Sequence, residues 1–279
     1  MTNRTKKIFY KMVKALELGE HVALVGERAS GKTILAEYYA ALRGQPFYRQ
    51  VFSAKSDNME LIGMYTPNGW QNGLLVRAGL SRDKGKGDSP GVFLADEFNQ
   101  ANDAVQERLN SLLDKDRTLF LSEKGGGEKV IFDDNFRFIA AFNPPSYAGR
   151  KRLSKAMQSR LSVQFVPNLE EKEEYQLIFS TIAMEMGLNT GIVKRLVDLH
   201  FWVIEQVQER ELGDQLIKNK YIFSIRQLKS ALKSLSILTA EQEDVVEGFK
   251  LAAELVYESV FESDSDKEKI RAQVKELCK

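Results

Sequence analysis

Eight consecutive residues, Gly26-Glu27-Arg28-Ala29-Ser30-Gly31-Lys32-Thr33, have the form G-x-x-x-x-G-K-[ST] without exception. Gly26 and Gly31 let the backbone turn sharply and approach a ligand closely. Successive N–H groups from Glu27 through Ser30, with a helix N-terminus behind them, make a concavity for anions. The Lys32 ammonium suits the β- and γ-phosphates of a nucleotide, and the Thr33 hydroxyl suits a Mg²⁺ ion. The apolar run HVALV stands before the motif and KTILAEYYAALR follows it. Strand, glycine loop and helix is the context this chemistry requires, so a chance match is a poor competitor.

A second cluster follows the run Val92-Phe93-Leu94-Ala95, which ends in Asp96 and Glu97. At the end of a strand beside the loop, Asp96 is placed to reach the Mg²⁺ shell. Glu97, pointing differently, is placed to orient and polarise a water. Two solvated carboxylates capping a helix are the competing reading, and the loop decides against it. A third apolar run, FIAAF, ends in Asn143 before Pro144 and Pro145. Asn143 is a candidate to sit beside the γ-phosphate, where an ordinary strand-ending turn is the alternative.

These residues must be carried by alternating strands and helices. Strands are expected at residues 21–25, 47–53, 91–95, 136–142 and 162–166, with helices at 32–43 and 104–115. Apolar strands alternating with helices argue for an α/β fold, a parallel sheet covered on both faces. After Pro167 the pattern becomes helical, with segments expected at 170–187, 192–209, 224–239, 241–263 and 266–277. The division expected is an α/β domain at 1–168 and a small helical domain at 169–279. Two inserts interrupt the first, at about 56–80 and at about 118–132. The latter reads as a hairpin with Gly125-Gly126-Gly127 at its tip.

In this order the motifs resemble those of the AAA+ ATPases, a P-loop NTPase αβα sandwich followed by a helical lid. The resemblance is to the MoxR-like and dynein-related branch with its CbbQ, NorQ and GvpN activators, and it runs from about residue 15 to 226. It is carried by GERASGKT at 26–33, LADEFNQA at 94–101, AAFNPP at 140–145 and LSKAMQSRL at 153–161. The resemblance implies a helix-2 insert near 56–80 and a pre-sensor hairpin near 118–132. It implies that Arg160 is an arginine finger acting on a neighbouring subunit, with Arg150 and Arg152 as rivals. It implies that Arg226, in Ser224-Ile225-Arg226, is the lid arginine. Gln100 stands where MoxR proteins have Arg, and Ser-Ile-Arg stands where they have Ser-Pro-Arg.

The implied function is an ATP- and Mg²⁺-dependent remodeller, a hexameric ring that activates a client protein or complex, often with a von Willebrand A-type partner. The alternative is a nucleic-acid-directed motor, supported by the Lys151, Arg152 and Lys155 cluster. Forty basic and 39 acidic side chains, for a net charge of +1, give that alternative little help. No Asn-Lys-x-Asp guanine-reading segment occurs, which disfavours a GTPase. One cysteine, Cys278, forms no internal disulfide and fits a reducing compartment. No run approaches the ~18 apolar residues of a membrane span, so the cytoplasm is expected. His21 and His200 offer no metal pair. Met64, Tyr65 and Trp70 in one insert, and Lys124 and Lys129 in the other, are candidate contacts for a client.

Overall fold

The computed structural model describes residues 2–80, 90–144, 152–169, 171–209, 212–213, 221, 223–241 and 245–279. Arg150, Lys151 and Pro145 lie outside them. The chain divides into two compact units, one of residues 3–168 and one of residues 169–279 together with Thr2.

The first unit opens with helix α1 (Asn3–Glu17), then β1 (His21–Val25), α2 (Lys32–Arg43) and β2 (Phe47–Val51). The first insert contributes α3 (Asn58–Leu61), the hairpin β3 (Gly63–Thr66) and β4 (Gly69–Asn72), and α4 (Leu74–Gly79). Then come β5 (Val92–Asp96), α5 (Asp103–Arg108), the hairpin β6 (Thr118–Leu121) and β7 (Glu128–Ile131), β8 (Arg137–Phe142), α6 (Lys155–Gln158) and β9 (Leu161–Phe165).

Five parallel strands form the sheet, in the order β2-β5-β8-β1-β9. Alternation along the central strands serves both faces. Val22 and Leu24, Val92 and Leu94, and Ile139 and Ala141 pack with Met12 and Leu16 of α1 and Leu35 and Tyr39 of α2. Ala23, Phe93, Phe138 and Ala140 pack on the other face with Leu61, Leu75, Val105 and Leu109. A strand buried on both faces needs apolar residues at every position. After β1 the chain runs to the edge strand β2, whereas β9 lies on the other side of β1. That reversal opens a crevice at the carboxyl ends of β1 and its neighbours, where ligands of open α/β sheets bind.

Three features differ from the sequence expectation. Helix α1 was not anticipated, although Met12, Ala15 and Leu16 form a buried stripe at helical spacing. The helix expected at 104–115 ends at Arg108, with Asn102 Oδ1 capping it by accepting from Val105 N–H at 2.8 Å. Beyond it, Leu109 and Asn110 bond back to the carbonyls of Gln106 and Glu107. These three-residue turns still bury Leu109, Leu112 and Leu113, so the apolar spacing is met without a regular helix. The segment expected as one helix at 241–263 does not run helical to its end: the helix at 245–256 gives way to a 3₁₀ turn (Glu258–Val260).

The second unit holds α7 (Lys172–Glu185), α8 (Thr190–Gln208), α9 (Ile225–Glu241), α10 (Val245–Val256) and α11 (Asp264–Leu277). Its core centres on Phe179, Leu196, Val203, Leu228, Leu232, Phe249 and Tyr257. Cys278 packs half-buried against that core. Among the described residues no helix is long and apolar enough to cross a membrane.

Candidate active site

The loop after β1 is clamped at its start from both sides. Gly26 N–H donates to Phe142 O at 3.2 Å, and Val166 N–H donates to Val25 O at 2.7 Å. A Cβ on Gly26 would lie 2.2 Å from Val166 O, so only glycine fits. Gly31 has φ 92°, a left-handed conformation, and caps α2 without a side-chain hydrogen bond. The first-turn amides of α2 have no carbonyl one turn earlier to bond, and this cap adds no side-chain acceptor for them. That arrangement suits an incoming anion.

Lys32 points back into the loop and is buried. Its Nζ donates to Gly26 O at 2.8 Å, to Glu27 O at 2.6 Å, to Ser30 Oγ at 3.4 Å and to Asn143 Oδ1 at 3.1 Å. Asn143 follows β8 directly and is 1% exposed. Its Nδ2 donates to Glu97 Oε1 at 3.4 Å. The amide therefore bridges the ammonium and the carboxylate, with its oxygen and nitrogen in the only orientation both partners accept.

Asp96 ends β5, and in parallel register it lies opposite Val51 of β2 and Ala141 of β8. It shares a face with Leu94, the face on which α2 packs. Thr33 Oγ1 accordingly donates to Asp96 Oδ2 at 3.3 Å. A hydroxyl and a carboxylate oxygen side by side, at the mouth of an anion cradle, are the hard oxygen donors Mg²⁺ prefers. These residues fit that ion.

Glu97 has φ 56° and ψ 33°. Few residues other than glycine hold this left-handed conformation, and such strain concentrates at functional positions. The turn sends Glu97 away from the Asp96 face. Its Oε2 accepts from Gln100 Nε2 at 3.3 Å and its Oε1 from Asn143. Lys32, Thr33, Asp96, Glu97 and Asn143, which the sequence singles out, thus converge.

Three residues near them were not anticipated as site residues. Arg49 on β2 donates through Nε at 3.0 Å and Nη2 at 2.7 Å to Asp96 Oδ2. Asn99 Nδ2 donates to Asn143 O at 3.1 Å. Gln100 holds Glu97 from the 3₁₀ turn Phe98–Gln100. The signal for Arg49 was an arginine inside the strand expected at 47–53. Glu27, also in the loop, accepts a hydrogen bond from Asn168 Nδ2, while Arg28 is exposed.

Arg160 does not join them. It immediately precedes β9, at the amino edge of the sheet, whereas the loop lies at the carboxyl edge. Strand β9 has five residues, a length of about 16 Å. At the amino edge Arg160 donates through Nε to Asp114 Oδ1 at 2.7 Å and through Nη2 to Asp114 Oδ2 at 3.2 Å. Nη1 donates to Ala156 O at 2.7 Å. Arg160 and Asp114 line a cavity of about 600 Å³ with His21, Lys115 and Arg117. Arg152 is exposed and lines a different cavity, of about 290 Å³, with Val25 and Phe142, which end β1 and β8. Arg226 lies in the first turn of α9 in the helical unit and is exposed. Ser224 and Gln227 cap this helix start, with Ser224 N–H donating to Gln227 Oε1 at 2.9 Å and Arg226 N–H donating to Ser224 Oγ at 3.3 Å.

The two inserts of the first unit meet. Tyr65 O–H donates to Lys124 O at 2.9 Å. Trp70 is half-buried, edge-on to Tyr65 at 5.3 Å, and donates to Asn72 Oδ1 at 2.8 Å. Lys124 pairs with Glu128 across the second hairpin. Met64, Tyr65, Phe120 and Ile131 remain exposed.

Comparison with known proteins points the same way. The family described as AAA domain (dynein-related subfamily) matches residues 21–161, just over half of the chain. "Midasin" of Dictyostelium discoideum is 31% identical over 175 residues, which is 62% of this chain and 3% of that protein. "Uncharacterized protein YojN" of Bacillus subtilis is 27% identical over 209 residues, covering 75% of this chain and 66% of the relative. "Uncharacterized protein SH1500" of Staphylococcus haemolyticus is 22% identical over 264 residues, 91% of this chain and 97% of the relative. Among solved structures, NtrX from Brucella abortus, in complex with ADP, matches with a TM-score of 0.59 at 16% identity, over all of this chain and 62% of that one. That likeness shows a shared fold.

Proposed function

The chain belongs to the dynein-related subfamily of AAA domains and is an ATPase, and on that premise we propose that it works as a hexameric ring of the MoxR-like kind that remodels a client protein or complex in the cytoplasm. The observation that carries the reading is the position of Arg160. The groups suited to nucleotide lie at the carboxyl edge of the sheet, and Arg160 lies at the other edge. An arginine so placed serves a phosphate only on another copy of the chain. Such a contact is head-to-tail, and head-to-tail contacts close into rings.

In this reading the loop 26–33 holds the phosphates of ATP, with Lys32 on the β- and γ-phosphates. Thr33 and Asp96 hold Mg²⁺, which when bound supplies charge neutralisation for the transferring phosphoryl group. Glu97 orients and polarises the water. Asn143 fixes Glu97 and Lys32 relative to each other, so that neither group has to be reorganised at the moment of reaction. Arg160 of the neighbouring subunit stabilises charge on the γ-phosphoryl, and Arg226 senses the nucleotide from the helical unit. The exposed side chains of the two clasped inserts, Met64, Tyr65, Phe120 and Ile131, are the surface offered to the client. A von Willebrand A-type protein is the partner this branch suggests. The chain spans only a few per cent of the midasins it matches.

The test is ATP hydrolysis per molecule against protein concentration. A steep rise that saturates is expected of a site shared between subunits. Flat specific activity from nanomolar to micromolar protein overturns the ring.

A further inference from the structure

We infer that Arg49 is a built-in counter-cation for Asp96, one that holds this carboxylate when no metal is bound and must leave it when Mg²⁺ enters with nucleotide. The inference rests on the reading of Asp96 and Thr33 as the metal-holding pair.

A single oxygen carries the argument. Asp96 Oδ2 receives Thr33 Oγ1 at 3.3 Å, Arg49 Nε at 3.0 Å and Arg49 Nη2 at 2.7 Å. The other oxygen, Oδ1, receives the N–H of Glu97 at 3.1 Å. An ionised carboxylate has about four acceptor sites in all, two to each oxygen. Oδ2 is therefore filled before any metal arrives, and Mg²⁺ competes for the same oxygen and the same hydroxyl. A guanidinium cannot relieve the conflict by losing its proton. It has to move.

The geometry permits that movement. Both guanidinium nitrogens sit on one oxygen instead of forking across two, because the Glu97 amide holds the second. The pair thus lacks the two-oxygen fork that makes arginine–carboxylate contacts strongest. The Arg49 side chain is 48% exposed against 11% for Asp96, and β2 is an edge strand of the sheet. Arg49 can swing into solvent, whereas Asp96 is fixed. Arg49 occupies this place because it stands opposite Leu94 in the β2–β5 register, two residues before Asp96 and on the same face. The consequence is a threshold. Metal and nucleotide together displace Arg49, and loss of the metal lets it return, so the free Mg²⁺ needed for tight nucleotide binding is set by this residue.

The experiment measures binding of a fluorescent N-methylanthraniloyl ADP to the full chain as free Mg²⁺ is raised from an EDTA baseline. Arg49→Ala is expected to reach half-saturation at about tenfold lower Mg²⁺, with unchanged affinity in EDTA. Arg49→Lys, which keeps the charge but loses the two-nitrogen contact, is expected in between. An Arg49→Ala midpoint that is unmoved or higher, beside a Mg²⁺-dependent wild type, overturns the role of Arg49 alone. A wild type whose ADP affinity ignores Mg²⁺, matched by Asp96→Asn, overturns the metal reading of Asp96 and the Arg49 inference with it.

Discussion

The two edges of the central sheet are built differently. At the carboxyl edge, Lys32, Thr33, Arg49 and Glu97 are tied together through Asn143 and Asp96. At the amino edge, Arg160 is held by an acidic partner, Asp114, beside an open cavity. One edge is a closed network around a place for phosphate. The other is a charged group parked on a carboxylate of its own chain, a strand's length from the loop. On the reading proposed above, the contrast means that a subunit carries two halves of different sites, and that the working site is assembled between copies.

The sharpest way to break this comparison is to disable each edge separately. Arg160→Ala is expected to lower hydrolysis by about 10³-fold, the scale of an arginine finger, while ADP binding to the intact carboxyl edge stays within about twofold of wild type. Lys32→Ala is expected to be as inactive for the opposite reason. Mixed together, the two dead variants should regain activity, because an Arg160→Ala subunit offers an intact loop to the intact finger of a Lys32→Ala neighbour. Random mixing would restore on the order of a quarter of the interfaces. No recovery on mixing, with both variants still assembling, would mean that each chain completes its own site.

Glu97→Gln sharpens the carboxyl edge itself. The substitution keeps the hydrogen bond to Gln100 or Asn143 but removes the basic oxygen. Hydrolysis should fall by about 10²–10³-fold, and ATP should be bound and retained, which a nucleotide-retention assay reads directly. An equal loss of binding would instead make Glu97 a part of the phosphate cradle.

The sequence made the loop, Asp96, Glu97 and Asn143 legible because each sits where an apolar strand stops, and strand ends can be read locally. Arg49 was not legible as a partner of Asp96. Its contact depends on β2 lying next to β5, a sheet order that no local pattern encodes. The pairing of Lys32 with Asn143 spans 111 residues, and that of Arg160 with Asp114 spans 46. Both arise from the crossovers of the sheet. Helix α1 was locally readable through Met12, Ala15 and Leu16, but its basic, polar first turns hid the stripe. The end of the helix at Arg108 was hidden for the opposite reason. Leu109, Leu112 and Leu113 keep helical spacing, yet they reach the core through turns.

The amino edge also carries its own pH dependence, through His21. This residue begins β1, lines the Arg160 cavity and is buried. Burial pushes its pKa down to about 4, and the Arg117 and Arg137 guanidiniums push the same way. The neutral ring is therefore the folded form. Below about pH 6.5 the unfolded chain takes up a proton that the folded chain refuses. Stability then falls by about 1.4 kcal/mol per pH unit, and this contribution levels off near pH 4, where the folded form is protonated as well. His200 of the helical unit is buried with a pKa of about 4 for the same first reason, so wild-type acid sensitivity combines both. His21→Gln isolates one. Between pH 7.5 and 5.5, chemical denaturation of this variant should lose about 1.4 kcal/mol less than wild type, with the His200 share cancelling in the difference. If the variant loses as much stability as wild type over that range, the amino edge is not held together by a neutral His21.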